Sequence, residues 1–243
     1  MTAPFDYPSI ARMIDHALLQ PFLRTDELEA GCTLAVSYEV ASVCILPYYV
    51  GRAAEILKDS SVLTSTTIGF PHGANTTSVK LAEARQALED GATELDIVIN
   101  ISKAKSNDLK YVADEIDLLT KRTHEAGAKI KIIFENTYLD DKTKIELCRI
   151  CGEAGVDWVK TSTGYAPGGA TLDDLRLMRK HSPAQVQVKA AGGIRDLNTI
   201  LAAREIGVTR VGCSRTAEIL EDCRKRLSLA PITILSATTA STY

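Results

Sequence analysis

Long apolar runs are missing from this 243-residue chain, and none approaches the ~20 residues that a membrane span needs. Its first residues, Met1-Thr2-Ala3-Pro4-Phe5-Asp6-Tyr7, lack the basic-then-apolar order of a secretory leader. A cytoplasmic location without membrane attachment is the expectation. Concentrated charge of one sign is missing too: 28 basic residues stand against 31 acidic ones, for a net charge of −3, with neither sign gathered into a run. That pattern argues against nucleic-acid partners and membrane surfaces. Histidine is sparse, and His16, His72, His124 and His181 are scattered. No second cysteine pair or His-x-x-x-His accompanies Cys148-x-x-Cys151, which sits in a helical pattern, so no metal site is expected. The six cysteines, with no leader before them, read as reduced thiols. No Pro/Gly/Ser-rich bridge marks a boundary, so residues 1–243 read as one domain, with a flexible polar tail from about residue 228.

What is present is a repeat of short strand-like segments, most of them followed by helical patterns. The segments are Met13–Leu18, Val40–Leu46, Val62–Gly69, Thr93–Asn100, Ala128–Glu135, Asp157–Ser162, Gln185–Ala190 and Thr209–Ser214. Helical spacing is clearest in Thr76–Glu89 and Asp108–Ala126, the latter with Val112, Ile116 and Leu119 on one stripe. Gly91, Gly127, Gly155 and Gly207 each stand just ahead of a strand, where a helix should be capped. Eight strand-helix units predict an α/β fold, a single (β/α)8 TIM barrel.

Alternation within the strands supports closure. Ile130, Ile132 and Phe134 share one face, with Lys129, Lys131 and Glu135 on the other. Glu94, Asp96, Val98 and Asn100 share a face, as do Trp158, Lys160 and Ser162, and Gln185, Gln187 and Lys189. If the apolar faces meet the helices, the polar faces point into the barrel. An open amphipathic sheet is the competing reading, but helices between nearly all strands would normally cover both of its faces.

Two strands then end in the same unusual way. Val159-Lys160 runs into Thr161-Ser162-Thr163-Gly164, and Val188-Lys189 runs into Ala190-Ala191-Gly192-Gly193. A lone strand lysine can be a side chain whose head reaches water. Two of them before glycine loops suggest a nucleophilic amine held beside a second ammonium, which lowers its proton affinity. At ~4 Å and an effective dielectric of ~20 the repulsion approaches ~4 kcal/mol, an upper bound of about three pKa units. Asp96, flanked by Leu95, Ile97 and Val98, needs a basic partner, and a nearby lysine supplies it. Gly192-Gly193-Ile194-Arg195 and Gly212-Cys213-Ser214-Arg215 follow the seventh and eighth strands, where barrels of this kind cradle phosphate on backbone N–H groups.

Val43-Cys44-Ile45-Leu46-Pro47, Gly69-Phe70-Pro71-His72-Gly73-Ala74-Asn75, Glu94-Leu95-Asp96-Ile97-Val98-Ile99-Asn100, Val159-Lys160-Thr161-Ser162-Thr163-Gly164 and Val188-Lys189-Ala190-Ala191-Gly192-Gly193-Ile194-Arg195 together resemble the motifs of the deoxyribose-phosphate aldolases, class I Schiff-base aldolases. The resemblance runs from Ile14-Asp15-His16 to Ser214, nearly the whole chain. It implies reversible cleavage of 2-deoxy-D-ribose 5-phosphate into D-glyceraldehyde 3-phosphate and acetaldehyde. Lys160 would form the Schiff base, Lys189 would lower its pKa, and Asp96 would pass protons through a water. The iminium would serve as electron sink, so no cofactor is expected.

The same resemblance puts phosphate on Gly164, Gly192, Gly193, Gly212, Cys213 and Ser214, with Asp15, Cys44 and Thr163 beside the substrate. It also allows a homodimer, and it suggests that Tyr243 assists proton transfer at the acetaldehyde methyl. Two departures stand out: Tyr165 occupies a place where some members carry a phosphate-neutralising lysine, and Ala17 one where some carry a hydroxyl. Phosphate affinity would then rest on Arg195, Arg215 and backbone donors. The alternatives are a Schiff-base aldolase or transaldolase-like enzyme for another phosphosugar, and a non-catalytic phosphosugar-binding barrel. A pure binder, however, has no need of a deprotonated lysine.

Overall fold

Eight parallel strands close on themselves in chain order, with the first paired to the last. The computed structural model describes residues 5–234. A short helix α1 (Tyr7–Ala11) precedes β1 (Ile14–Leu18), and the alternation continues through α2 (Thr25–Ser37), β2 (Ser42–Ile45), α3 (Val50–Leu57), β3 (Leu63–Ile68), α4 (Thr77–Glu89) and β4 (Glu94–Val98). It resumes with α5 (Ile101–Lys105), α6 (Leu109–Glu125), β5 (Lys129–Ile133), α7 (Asp141–Ala154), β6 (Trp158–Lys160), α8 (Leu172–His181), β7 (Gln187–Ala191), α9 (Leu197–Ile206), β8 (Arg210–Cys213) and α10 (Thr216–Arg226). This is the (β/α)8 barrel that the strand-helix repeat predicts. Most strands stop one or two residues inside the bounds that the apolar patterns suggest, because the flanking residues already belong to the loops, while β7 runs one residue further, to Ala191.

Local signals place the helix ends. Asp108, Asp140, Thr171 and Asp196 each accept a hydrogen bond from the backbone N–H three residues on, satisfying a donor that the first helical turn leaves open. At the far ends Gly91, Gly127, Gly155 and Gly207 all have positive φ, which turns the chain from helix to strand at little steric cost. Cys148 and Cys151 lie buried on α7.

The core is the annulus between strands and helices. Ile130, Ile132, Val159, Val188 and Val211 point outward from the sheet and are at most 1% exposed; Ile116, Leu119, Leu147, Leu175, Ile200 and Ile219 come in from the helices. Burying an aliphatic side chain of this size stabilises by roughly 1.5–3 kcal/mol. Because side chains alternate across a strand, the same register turns Glu94, Asp96, Lys131, Lys160 and Lys189 inward. Neighbouring strands set Lys160 opposite Lys189, and Lys189 opposite Arg210. The inside of the barrel is therefore polar, as the alternation implies, while the hydrophobic core surrounds it.

After α10, the chain at 228–232 folds back on that helix: Leu229 N–H donates to Arg224 O, and Ile232 N–H to a Glu221 carboxylate oxygen at 3.0 Å. Among the described residues no helix is long and apolar enough to cross a membrane.

Candidate active site

Three strands bring their charged side chains to one point. The Lys160 Nζ, from the end of β6, donates to Asp96 Oδ2 at 2.6 Å, and the Lys189 Nζ from β7 donates to the same oxygen at 2.7 Å. The two ammonium nitrogens therefore share one acceptor and sit side by side. Lys131 from β5 takes the other carboxylate oxygen, Asp96 Oδ1, at 2.8 Å and Glu94 Oε2 at 2.6 Å. Asp15 on β1 binds Lys189 at 2.5 Å through one oxygen and Arg210 at 2.5 Å through the other. Arg210 also reaches both oxygens of Glu94, at 2.8 and 3.0 Å. Trp158, two residues before Lys160 and so on the same face, lies beneath; Arg210 Cζ is 5.0 Å and Lys131 Nζ 5.7 Å from its ring centre.

Burial and neighbouring charges divide the lysines. Burial drives the Lys160 amine towards its neutral form; Asp96 opposes this, and the Lys189 charge works with burial, so Lys160 binds its proton less tightly than an ordinary lysine. Burial pulls Lys189 the same way, but Asp15 and Asp96 outweigh it and raise its proton affinity. Lys131 is likewise raised, by Asp96, Glu94 and Asp15 against burial. Asp96 would be pushed up by burial, yet Lys131, Lys160 and Lys189 hold it well below the usual carboxylate range. The repulsion from Lys189 that the sequence suggests is present, but desolvation is the larger cause.

Above this floor, at the C-terminal ends of the strands, opens a cavity of about 220 Å³. Asp15, Cys44, Lys160, Thr163, Gly164, Lys189, Gly192, Gly193, Arg195, Gly212, Cys213, Ser214 and Arg215 all line it. Every described residue singled out from the sequence is thus at the cavity except Asp96, which is fully buried directly beneath it. Tyr243 lies outside the described residues. Ala17 is at the wall, and burial raises the Cys44 and Cys213 thiols, the latter to about 11.

The glycine loops earn their composition. Gly192 and Gly193 have φ of +80° and +78°, and a Cβ on Gly169 would stand 2.3 Å from Gly192 O. With no side chain there, Ala170 N–H can donate to both Ala191 O and Gly192 O, locking the loop after β6 to the loop after β7. Backbone N–H groups of such loops, with the N-terminus of α10 and the exposed Arg195 and Arg215, suit an anion at this end. Arg215 also pairs with Glu218.

Sequence reasoning left out Lys131, Glu94 and Arg210 as site members, although an acid or base inside an otherwise apolar strand was the available signal. It also left out a chain of contacts at the rim. Glu135, in the left-handed region at φ +58°, accepts from the Thr163 N–H at 3.2 Å and from the Thr163 hydroxyl. Tyr165 N–H in turn donates to Thr163 Oγ1 at 3.1 Å, and the Tyr165 hydroxyl to Leu19 O at 2.6 Å. No sequence pattern marks Glu135 for that conformation, which is uncommon without glycine.

An amine that gives up its proton readily, facing a cavity and backed by an ammonium and a carboxylate, can condense with a carbonyl. Similar proteins point to one family. A deoxyribose-phosphate aldolase of Rhodopirellula baltica is 57% identical over 241 residues, covering 99% of this chain and 100% of the relative. One of Thermococcus gammatolerans is 47% identical over 217 residues, with 88% and 96% covered. Among solved structures, the tetrameric deoxyribose phosphate aldolase of Aeropyrum pernix superimposes with a TM-score of 0.85 at 31% identity, covering 91% of this chain and 93% of that one. Residues 10–210 match the sequence pattern of the DeoC/LacD family aldolases, and the chain belongs to that family.

Proposed function

We propose that this protein catalyses the reversible aldol cleavage of 2-deoxy-D-ribose 5-phosphate to D-glyceraldehyde 3-phosphate and acetaldehyde. The observation that carries the reading is the shared Asp96 Oδ2, with Lys160 and Lys189 on either side at the cavity floor. The neutral Lys160 amine attacks C1 of the open-chain aldehyde, and loss of water gives an iminium. Removal of the C3 hydroxyl proton lets the C2–C3 bond break, its electron pair passing into the iminium to leave an enamine. Glyceraldehyde 3-phosphate departs, the enamine takes a proton at C2, and water releases acetaldehyde and the amine. Because the iminium is itself the electron sink, the chemistry needs no cofactor.

In this reading Lys189 stays charged beside the nucleophile, and ionised Asp96 passes protons through a water. The phosphate rests on Gly164, Gly192, Gly193, Gly212, Cys213 and Ser214 with Arg195 and Arg215. Asp15, Cys44 and Thr163 border the sugar, and Tyr243 aids proton transfer at the methyl carbon. A single catalytic domain, a cytoplasmic setting and a homodimer complete the proposal; the Aeropyrum relative is described as a tetramer.

The test is to incubate the protein with deoxyribose phosphate and borohydride and to locate the reduced adduct by mass spectrometry. Label on Lys160 is the expected result; label elsewhere, or none, overturns the mechanism. Cleavage of other sugar phosphates with deoxyribose phosphate untouched would move the substrate and leave the Schiff base standing.

A further inference from the structure

Inside the barrel four basic side chains, Lys131, Lys160, Lys189 and Arg210, face three carboxylates, Asp15, Glu94 and Asp96. Were all seven ionised, a net positive charge would be trapped where burial makes it costly. One proton has to be given up, and the contacts say by which group. Arg210 holds Asp15 and Glu94, Lys189 holds Asp15 and Asp96, and Lys131 holds Glu94 and Asp96 with Asp15 at 3.7 Å. Among the described residues Lys160 has one acidic partner, Asp96, and it shares that partner's oxygen with Lys189.

Lys131 is the member that leaves Lys160 in this position. It does not line the cavity, is fully buried, and occupies Asp96 Oδ1, with Ser65 Oγ completing its contacts at 3.4 Å. That contact turns the other oxygen, Oδ2, towards Lys160 and Lys189. It also sets a fixed positive charge against the one carboxylate that would otherwise hold the Lys160 proton. We propose that Lys131 is a positioning residue for the reaction, aiming Asp96 and keeping the Lys160 amine neutral and nucleophilic without touching substrate. The proposal rests on the Schiff-base reading above. The groups that share the barrel interior with Lys160 are Asp15 on β1, Cys44 on β2, Ser65 on β3, Glu94 and Asp96 on β4, Lys131 on β5, Lys189 on β7 and Arg210 on β8. Their neighbours hold Asp15 and Asp96 ionised and Lys131, Lys189 and Arg210 charged across the working pH range, and burial keeps the Cys44 thiol protonated, so the field on Lys160 is a fixed one.

Changing either end of the Lys131–Glu94 pair should move the low-pH limb of the reaction in opposite directions. Lys131→Met removes a positive charge, so Asp96 holds the Lys160 proton more firmly. The limb, read from kcat/KM and from borohydride trapping on Lys160, then rises by about one pH unit or more. At high pH the variant approaches the unaltered protein. Glu94→Gln removes a negative charge of nearly the same shape and leaves Lys131 and Arg210 less compensated, so the limb falls. A residue serving only as mortar between β4 and β5 would lower Tm, or activity at every pH alike, and leave both limbs in place; that result, or shifts of one sign, overturns the proposal. Should Lys131→Met fail to fold, Glu94→Gln decides alone, an unlowered limb counting against it. Absence of label on Lys160 in the unaltered protein at any pH would instead remove the Schiff-base reading itself.

Discussion

Two buried lysines in this molecule look alike in exposure and in their contact with a carboxylate, yet only one is placed to react. Lys80, on α4 in the helical layer, is completely buried; its Nζ donates to Glu115 Oε1 on α6 at 2.6 Å and to Val98 O at 2.8 Å. Lys160 is buried inside the barrel with Asp96 at the same 2.6 Å. Burial lowers the proton affinity of both, opposed in each case by the acidic partner. Lys80 has Glu115 Oε1 to itself, with the Thr77 hydroxyl on that carboxylate's other oxygen, and a carbonyl besides; Lys160 shares its carboxylate oxygen with another cation and opens onto 220 Å³ of space. A depressed lysine is thus not a site in itself. Competition for the partner, and room for a carbonyl to arrive, make the difference.

The largest expected effect separates the two. Lys160→Ala should lower turnover of deoxyribose phosphate by about four orders of magnitude or more, since the covalent path is closed. Its Tm should change little, because the three carboxylates then face three cations. Steady-state assays with a thermal melt check both halves; turnover within tenfold of the unaltered protein would show that the two lysines are not different in kind. Lys80→Met should do the reverse. It strands Glu115 between helices and costs about 3–5 kcal/mol of stability, the range for breaking a buried pair. Per folded molecule, kcat should stay within about twofold. Urea titration reads the first number, and activity normalised to the folded fraction reads the second.

Lys189→Leu comes next. The ammonium that competes for Asp96 is lost, so Lys160 keeps its proton to higher pH. The sign is fixed by the mechanism: the neutral amine reacts, so rate climbs as pH rises through the Lys160 pKa, and raising that pKa moves the climb upward. A loss of about a hundredfold near neutral pH, partly regained in alkali, is expected. The fold should hold, as Arg210 remains on Asp15. A pH–rate profile with equal loss at every pH would mean that Lys189 does not act through Lys160.

Much of this could be read from residue order. The polar faces of β4, β5, β6 and β7 were legible by alternation alone, and with them Asp96, Lys131, Lys160 and Lys189 on the inside. Glycine loops after two lysine-ending strands drew Lys160 and Lys189 forward, whereas Lys131, followed by Ile132-Ile133-Phe134, carried no such flag. What alternation cannot supply is register between strands distant in sequence. That Asp15 meets both Lys189 and Arg210, some 174 and 195 positions away, follows only from closure of β1 onto β8. The conformation of Glu135 was invisible for a related reason: its carboxylate meets Thr163 from the next strand's loop, and nothing local calls for a positive φ.

The rim gives the smallest effect and the finest form of the comparison. Tyr165 is 42% exposed, stands edge-on to Phe70 at 5.3 Å, and ties the loop after β6 to the loop after β1 through its hydroxyl on Leu19 O. Unlike the contacts of the floor, this one is made by a partly exposed side chain at the cavity wall. Tyr165→Phe keeps the ring and its contact with Phe70 and removes only the tether, a change of about 1 kcal/mol for a partly hydrated hydrogen bond. KM for deoxyribose phosphate should therefore rise roughly fivefold, with kcat unchanged, since the amine and its neighbours are not disturbed. Tyr165→Ala, losing the aromatic pair as well, should raise KM further and still spare kcat. A fall in kcat with steady KM would mean that the rim shapes the bond-breaking step itself, and the division between a floor that reacts and a mouth that holds would have to be redrawn.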